Sequence, residues 1–196
     1  VRTAAKVGLG VWFNMCLESG MPTSVATFND VWYKYLITAY LGLDYYECPW
    51  KYVEGLTQET WEATYIDETT GAEKEVLTDA EKRAYYDQLW EQNQDKINKN
   101  ALANLYICDE PGLIQTNATK LYGEFSKLEA KLDAYGITTP AGINFFPINA
   151  ITNTSGKPTY NYLNKYTKYL DYYLTDVNNS KINVDWVMYD YYMSQG

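Results

Sequence analysis

Acidic residues at the ends of apolar runs carry most of the chemistry this chain could perform. Glu18 follows the run Gly10 to Leu17, Glu47 lies within Leu43 to Cys48, Asp109 and Glu110 follow Ala103 to Cys108, and Asp190 closes Val184 to Asp190. In a parallel α/β architecture the carboxyl ends of the strands converge on one rim, so acids there share a cleft, whereas the same acids on helices would be solvated. Asp109-Glu110-Pro111-Gly112 is the most informative stretch, because an apolar strand running into two acids and a Pro-Gly stop aims the acids into loop space. The competing reading makes Asp109 a cap for the helix that follows. Asn144, Tyr189 and Asp190 are candidates for contacts to ligand hydroxyls. Trp12, Trp50 and Trp186 are candidate ring platforms; Trp12 and Trp186 lie within strand bodies and are expected in the core, while Trp50 follows a strand end and is expected to be more open.

Composition narrows the options. The 196 residues contain no histidine, which removes Ser-His-Asp and Cys-His relays and the common zinc sites. Catalysis would fall to carboxylates, tyrosine, lysine or an unassisted thiol. With 25 acids against 16 bases and no cluster of Lys and Arg, the surface repels phosphate backbones, so nucleic acid is not an expected partner. Cys16, Cys48 and Cys108 are too few for a four-sulfur site and are expected buried and unpaired. No window approaches the run of about 20 apolar residues of a membrane helix, and no signal-like segment opens the chain. It starts at Val1 without an initiator Met, as a mature, trimmed or excised polypeptide would. Tyrosine is the outlier, with 21 copies beside 6 Trp and 5 Phe. Such rings join a flat apolar face to a polar edge, which suits sugar clefts as well as helix–sheet packing.

The elements that would position these residues alternate. Five apolar or aromatic runs read as strands: Gly10 to Leu17, Leu43 to Cys48, Ala103 to Cys108, Ala141 to Phe146 and Val184 to Asp190. Helical periodicity covers Thr27 to Tyr40, Asp79 to Asn98, Thr116 to Tyr135 and Tyr160 to Val177. Gly42 and Gly136 are placed to end two of them, and Thr78 with Glu81 has the spacing of a capping box. Trp61 to Ile66 alternates in strand fashion before the turn cluster Asp67 to Gly71, which predicts a surface hairpin. Asn149 to Pro158 reads as a polar loop. The pattern implies α/β with parallel strands and crossover helices, about five β/α units and a small hairpin, in one domain over residues 1–196.

Three stretches also carry a family resemblance. LYICDEP (Leu105 to Pro111), GINFFP (Gly142 to Pro147) and DWVMYDYY (Asp185 to Tyr192) resemble successive strands of (β/α)8-barrel glycoside hydrolases and hydrolase-like proteins, including those of gut bacteria. Gly10 to Glu18 is similar to a seventh strand of that family, and Val31 to Trp50 to the following helix and eighth strand. Residues 1–100 thus resemble the C-terminal half of a barrel and 101–196 its middle strands, with nothing similar to strands one to three. The order implies a partial or circularly permuted barrel, completed by another chain or segment, with Gly196 close to Val1.

The resemblance implies Glu110 as general acid/base and Glu18 as nucleophile. One carboxyl would stay protonated through burial or its neighbour's charge, Asp109 supplying that charge to Glu110, and the other would be ionised to meet an oxocarbenium-like transition state. Their separation should be about 5–5.5 Å for retention or about 6.5–9.5 Å for inversion. Glu47, Trp50, Asp109, Asn144, Tyr189 and Asp190 would bind a carbohydrate substrate, with no cofactor. The alternative is a noncatalytic glycan-binding or structural module on a degenerate barrel. A hard cation held by Asp109, Glu110 and Asp190 is a third option, without an Asp-x-Asp-x-Asp-Gly loop to support it. An extracellular or cell-surface location is expected from the resemblance and the acidic, tyrosine-rich composition.

Overall fold

The structure, a computed structural model, describes residues 4, 7, 9–14, 27–43, 49–111, 115–146, 160–175 and 182–189. In chain order the elements are β1 (Trp12–Asn14), α1 (Phe28–Val31), α2 (Ile37–Tyr40), α3 (Gln58–Glu62), β2 (Thr64–Ile66), β3 (Glu73–Glu75), α4 (Asp79–Gln92), β4 (Asn104–Asp109), α5 (Gln115–Ala134), β5 (Ala141–Phe145), α6 (Tyr160–Leu174) and β6 (Trp186–Tyr189). The chain divides into two units. One comprises Gly10–Val31 and Leu102–Gly196, the other Val1–Leu9 and Trp32–Ala101.

The first unit holds a four-stranded, all-parallel sheet in the order β1-β4-β5-β6. Four of the five expected strands thus form on their predicted runs, β4 reaching one residue further to Asp109; of Leu43 to Cys48 all but Leu43 lies outside the described residues. Because β4, β5 and β6 advance across the sheet in one direction, right-handed crossovers put α5 and α6 on the same face. Ring contacts identify that face: Phe145 of β5 meets Tyr169 and Tyr173 of α6 edge-on, at 5.5 and 5.7 Å between centroids. Leu105, Ile107, Cys108, Ile143 and Phe145 are all buried.

Spacing explains the helices. Ala118, Leu121, Phe125, Leu128 and Leu132 recur at intervals of three and four and are all buried on α5, each large side chain contributing about 1.5–3 kcal/mol by leaving water. Gly136 then takes a φ of 61°, where Ile137 N–H donates to the Leu132 carbonyl and Gly136 N–H to that of Asp133, the paired bonds of a Schellman ending. Fold class is therefore the expected parallel α/β. Closure into a barrel is not seen among the described residues, where β1 and β6 are the sheet edges and β1 pairs with β4.

The second unit is built on aromatic packing. Trp32, Leu36, Ile37, Tyr40, Leu89 and Trp90 are buried, with the Trp32 and Trp90 rings edge-on at 4.9 Å. Helix α4 opens on the predicted capping box, Thr78 and Glu81 each bonding the other's backbone N–H. Strands β2 and β3 form the expected antiparallel hairpin. Its turn is held by the Asp67 side chain, which accepts from Thr69 and Thr70 N–H. The strand begins later than its alternation suggested: Trp61 and Glu62 are helical in α3, because the Thr57 side chain accepts from Thr60 N–H and nucleates a turn there.

Candidate functional site

A one-residue irregularity in β4 decides where the site's carboxylate goes. Tyr106 pairs with Gly142, but Cys108 pairs with Ile143 and Asp109 with Asn144, the register shifting between Tyr106 and Cys108. Strict alternation would put Asp109 on the side of Leu105 and Ile107, among the hydrocarbon under the helices, at a cost of several kcal/mol for an unpaired charge. The bulge instead leaves Ile107 and Cys108 both buried and turns Asp109 to the opposite, open face with Asn144. Asp109 is exposed there.

Two donors fix it. Tyr106 Oη donates to Asp109 Oδ1 at 2.6 Å, and Asn144 Nδ2 donates to the same oxygen at 2.8 Å. A carboxylate oxygen accepts, so the Asn144 amide must turn its nitrogen toward Asp109. That choice commits the other end of the amide: Asn144 is 3% exposed, and its Oδ1 is buried with no hydrogen-bond partner. A buried acceptor without a donor costs about 1–3 kcal/mol.

Glu110 follows on a left-handed backbone, φ 45°, the only positive φ among the described non-glycine residues. Such a conformation costs an L-residue about 1–2 kcal/mol. It is held because Glu110 N–H donates to the Asn144 carbonyl at 2.8 Å. The half-buried Glu110 thus leaves the line of β4 at the carboxyl end of the sheet, beside the Asp109–Asn144 pair.

The same open face carries a layer of rings. Trp186 lies over Gly142, so close that a Cβ there would stand 2.1 Å from the indole. Its ring is nearly parallel to Tyr106, 6.1 Å apart at 21°, and meets Trp12 of β1 at 5.3 Å and 33°. Trp12 is 59% exposed, in contrast to its expected place in the core. Trp12 lies on the edge strand β1 and, paired with Asn104, on the face away from the helices, where a side chain on the interior strand β5 such as Asn144 is buried but one at the edge is not.

Other expected site residues are distributed differently. Tyr189, 63% exposed, pairs in register with Phe145 and so takes the face opposite Asp109 and Asn144. Trp50 belongs to the other unit, half-buried in a 3-10 turn with its ring 5.9 Å from Trp61. Glu18, Glu47 and Asp190 lie outside the described residues, as do Cys16, Cys48, the loop after Phe146 and the chain ends; the Glu18–Glu110 separation therefore falls outside them too. Cys108 is buried, its Sγ 3.8 Å from the Asp109 carbonyl oxygen. Sequence reasoning passed over Tyr106 and Gly142. A glycine inside a strand run does signal close approach by another group, which here is the Trp186 ring.

A hollow of about 340 Å³ lies elsewhere, at the amino end of β6, lined by Leu174, Ile182, Asn183, Val184, Asp185 and Trp186. It does not include Asp109, Glu110 or Asn144; the bonded polar cluster is the better guide to chemistry, because the hollow's one carboxylate, on Asp185, is engaged by Ala141 N–H at 2.9 Å. Among the described residues no group of three or more Cys, Asp or Glu is arranged to hold a metal, and no helix is long and apolar enough to cross a membrane. No family model matches the chain, and no curated protein or solved structure matches it.

Proposed function

We propose that this chain is a glycoside hydrolase-like protein that acts on or binds carbohydrate at the carboxyl end of its parallel sheet, the four strands being a segment of a barrel-type β/α fold. One observation carries the reading: a bulge turns Asp109 onto the open face, where Tyr106 and Asn144 hold it beside Glu110 and leave a buried amide oxygen without a donor. Sugar hydroxyls donate, and the exposed Asp109 carboxylate, held by Tyr106 and Asn144, offers an acceptor at a fixed position. Glu110 supplies the proton to the leaving oxygen, and Glu18 is the partner carboxylate.

The test separates chemistry from binding. Purified protein is screened against aryl glycosides and plant and host glycans, for hydrolysis and for retardation in glycan-containing gels, with Glu110→Gln alongside. The expected result is binding by both proteins and turnover by the wild type alone. Binding by both with turnover by neither assigns a noncatalytic glycan-binding module, full turnover by Glu110→Gln removes Glu110 from the acid role, and no binding to any glycan overturns the reading.

A further inference from the structure

Strand β6 forms one side of the sheet, and no other described strand pairs with its outer edge. Asp185 N–H donates to the Ala141 carbonyl at 2.8 Å, and alternate residues of a strand direct their N–H and C=O groups to alternate sides. Val187 and Tyr189 therefore direct theirs to β5, while Trp186 and Met188 turn both backbone groups outward. Proteins usually blunt such an edge with Lys, Pro or a bulge. Trp186-Val187-Met188-Tyr189 has none of these, pairs in unbroken register with β5, and leaves Val187 47%, Met188 39% and Tyr189 63% exposed.

The side chains along this edge supply a knob and a hole. Tyr189, at the carboxyl end, shares the helix-covered face with Val187 and, by alternation, with Asp185. The hollow of about 340 Å³ lies at the amino end of the same strand, where apolar Leu174, Ile182 and Val187 stand with polar Asn183 and Asp185, a mixture that suits a ring with a hydroxyl at its tip. Knob and hole sit at opposite ends of β6 and do not meet within one chain. An antiparallel second copy brings them together, because reversal lays the carboxyl end of one strand against the amino end of the other.

We propose that two copies of the chain dimerise by antiparallel pairing of their β6 edges, centred on Val187. This register sets Val187 against its own counterpart, Trp186 against Met188, and Asp185 against Tyr189. The outward N–H and C=O groups of Trp186 and Met188 then bond one another across the axis, extending the sheet. Each Tyr189 ring enters the hollow of the other copy. Asp185 meets a tyrosine rather than another acid, which matters between chains of net charge −9. A two-fold contact uses the same patch on both subunits and so closes at a dimer. The proposal is independent of the carbohydrate reading, since it uses neither Asp109 nor Glu110.

Sedimentation equilibrium of the full chain over a concentration series, with hydrogen exchange at its low and high ends, tests the assignment. The expected species has twice the 22.6 kDa of one chain, and the Trp186 and Met188 amides should gain protection as concentration rises. Val187→Lys sets two like charges together at the axis, and Met188→Pro removes an outward N–H that has no acceptor among the described residues, as an edge strand tolerates; each should return the protein to monomer. Tyr189→Ala removes both rings and should weaken association by at least about tenfold, with Tyr189→Phe restoring most of it. Circular dichroism verifies the fold of each variant, and the exchange measurement needs the wild type alone. A monomer at every concentration overturns the proposal: open amides would leave the edge to a different protein, and protected amides would give it to a segment of the same chain. A dimer unaffected by the Val187 and Met188 variants lies on another surface and overturns it equally. Growth beyond a dimer overturns the two-fold register, and unchanged association of Tyr189→Ala overturns the ring-in-hollow contact.

Discussion

The two faces of the parallel sheet are made by the same strands and solve opposite problems. On the helix-covered face, Leu105, Ile107, Cys108, Ile143 and Phe145 are buried, and burial pushes the hydroxyls of Tyr169 and Tyr173 above their ordinary range. Tyr169 is nonetheless satisfied there, donating to the Pro111 carbonyl and accepting from Phe146 N–H. On the open face, Asn104 Oδ1, Asn144 Oδ1 and Trp186 Nε1 are buried without a hydrogen-bond partner, and these are the only such atoms among the described residues of this unit. On the helix-covered face the two central strands are closely packed and the Tyr169 hydroxyl is hydrogen-bonded, while Val187 and Tyr189 on the edge strand β6 stay exposed. Its opposite retains buried polar atoms without a partner beside an exposed indole, each costing about 1–3 kcal/mol.

The contrast can be broken most severely from the packed side. Phe145→Ala removes a ring that is 2% exposed and touches both Tyr169 and Tyr173; a loss of about 3–5 kcal/mol is expected in urea unfolding. Tyr106→Phe keeps the ring on the open face and deletes one hydrogen bond to an exposed carboxylate, so about 0.5–1.5 kcal/mol is the expected change in the same experiment. An open-face loss as large as that from Phe145→Ala would erase the distinction.

The smallest effect sharpens the comparison through pH. Glu129 on α5 has its carboxyl raised above the ordinary 4.5, first by burial and then by the charges of Asp133 and Asp185. Below that ordinary value both folded and unfolded chains hold the proton, and Glu129 has no effect on the slope. As pH rises through 4.5 the unfolded chain releases it first, so stability falls until the folded group also ionises. Glu129→Gln should flatten that part of the stability–pH curve measured by chemical denaturation; an unchanged slope would place the charge strain elsewhere.

How much of this was legible in the sequence follows the same division. Helix α5 was readable because its buried residues recur at helical spacing and end at Gly136, and α4 because Thr78 and Glu81 reach each other locally. Strands β4 and β5 were readable from apolar runs with turn residues beyond them. That Asp109 stands exposed at the end of β4 follows the expectation for the acids there, but its cause was not readable. Leu105-Tyr106-Ile107-Cys108 has no polar break to betray the bulge, and only pairing with β5 fixes the register. Trp12 was assigned to the core because residue type was legible and facing was not. Trp61 and Glu62 alternate like a strand, yet the hydrogen bonds of the Thr57 hydroxyl with Thr60 N–H and with the Thr60 hydroxyl decide the local conformation.

The bulge in β4 has a consequence for how chains of this kind vary. A chain one residue shorter at Ile107 would set Leu105, Tyr106, Cys108 and Asp109 against Ala141 to Asn144 in strict alternation and keep the acid on the same face; the bulge is what lets β4 carry one apolar letter more without turning the carboxylate inward.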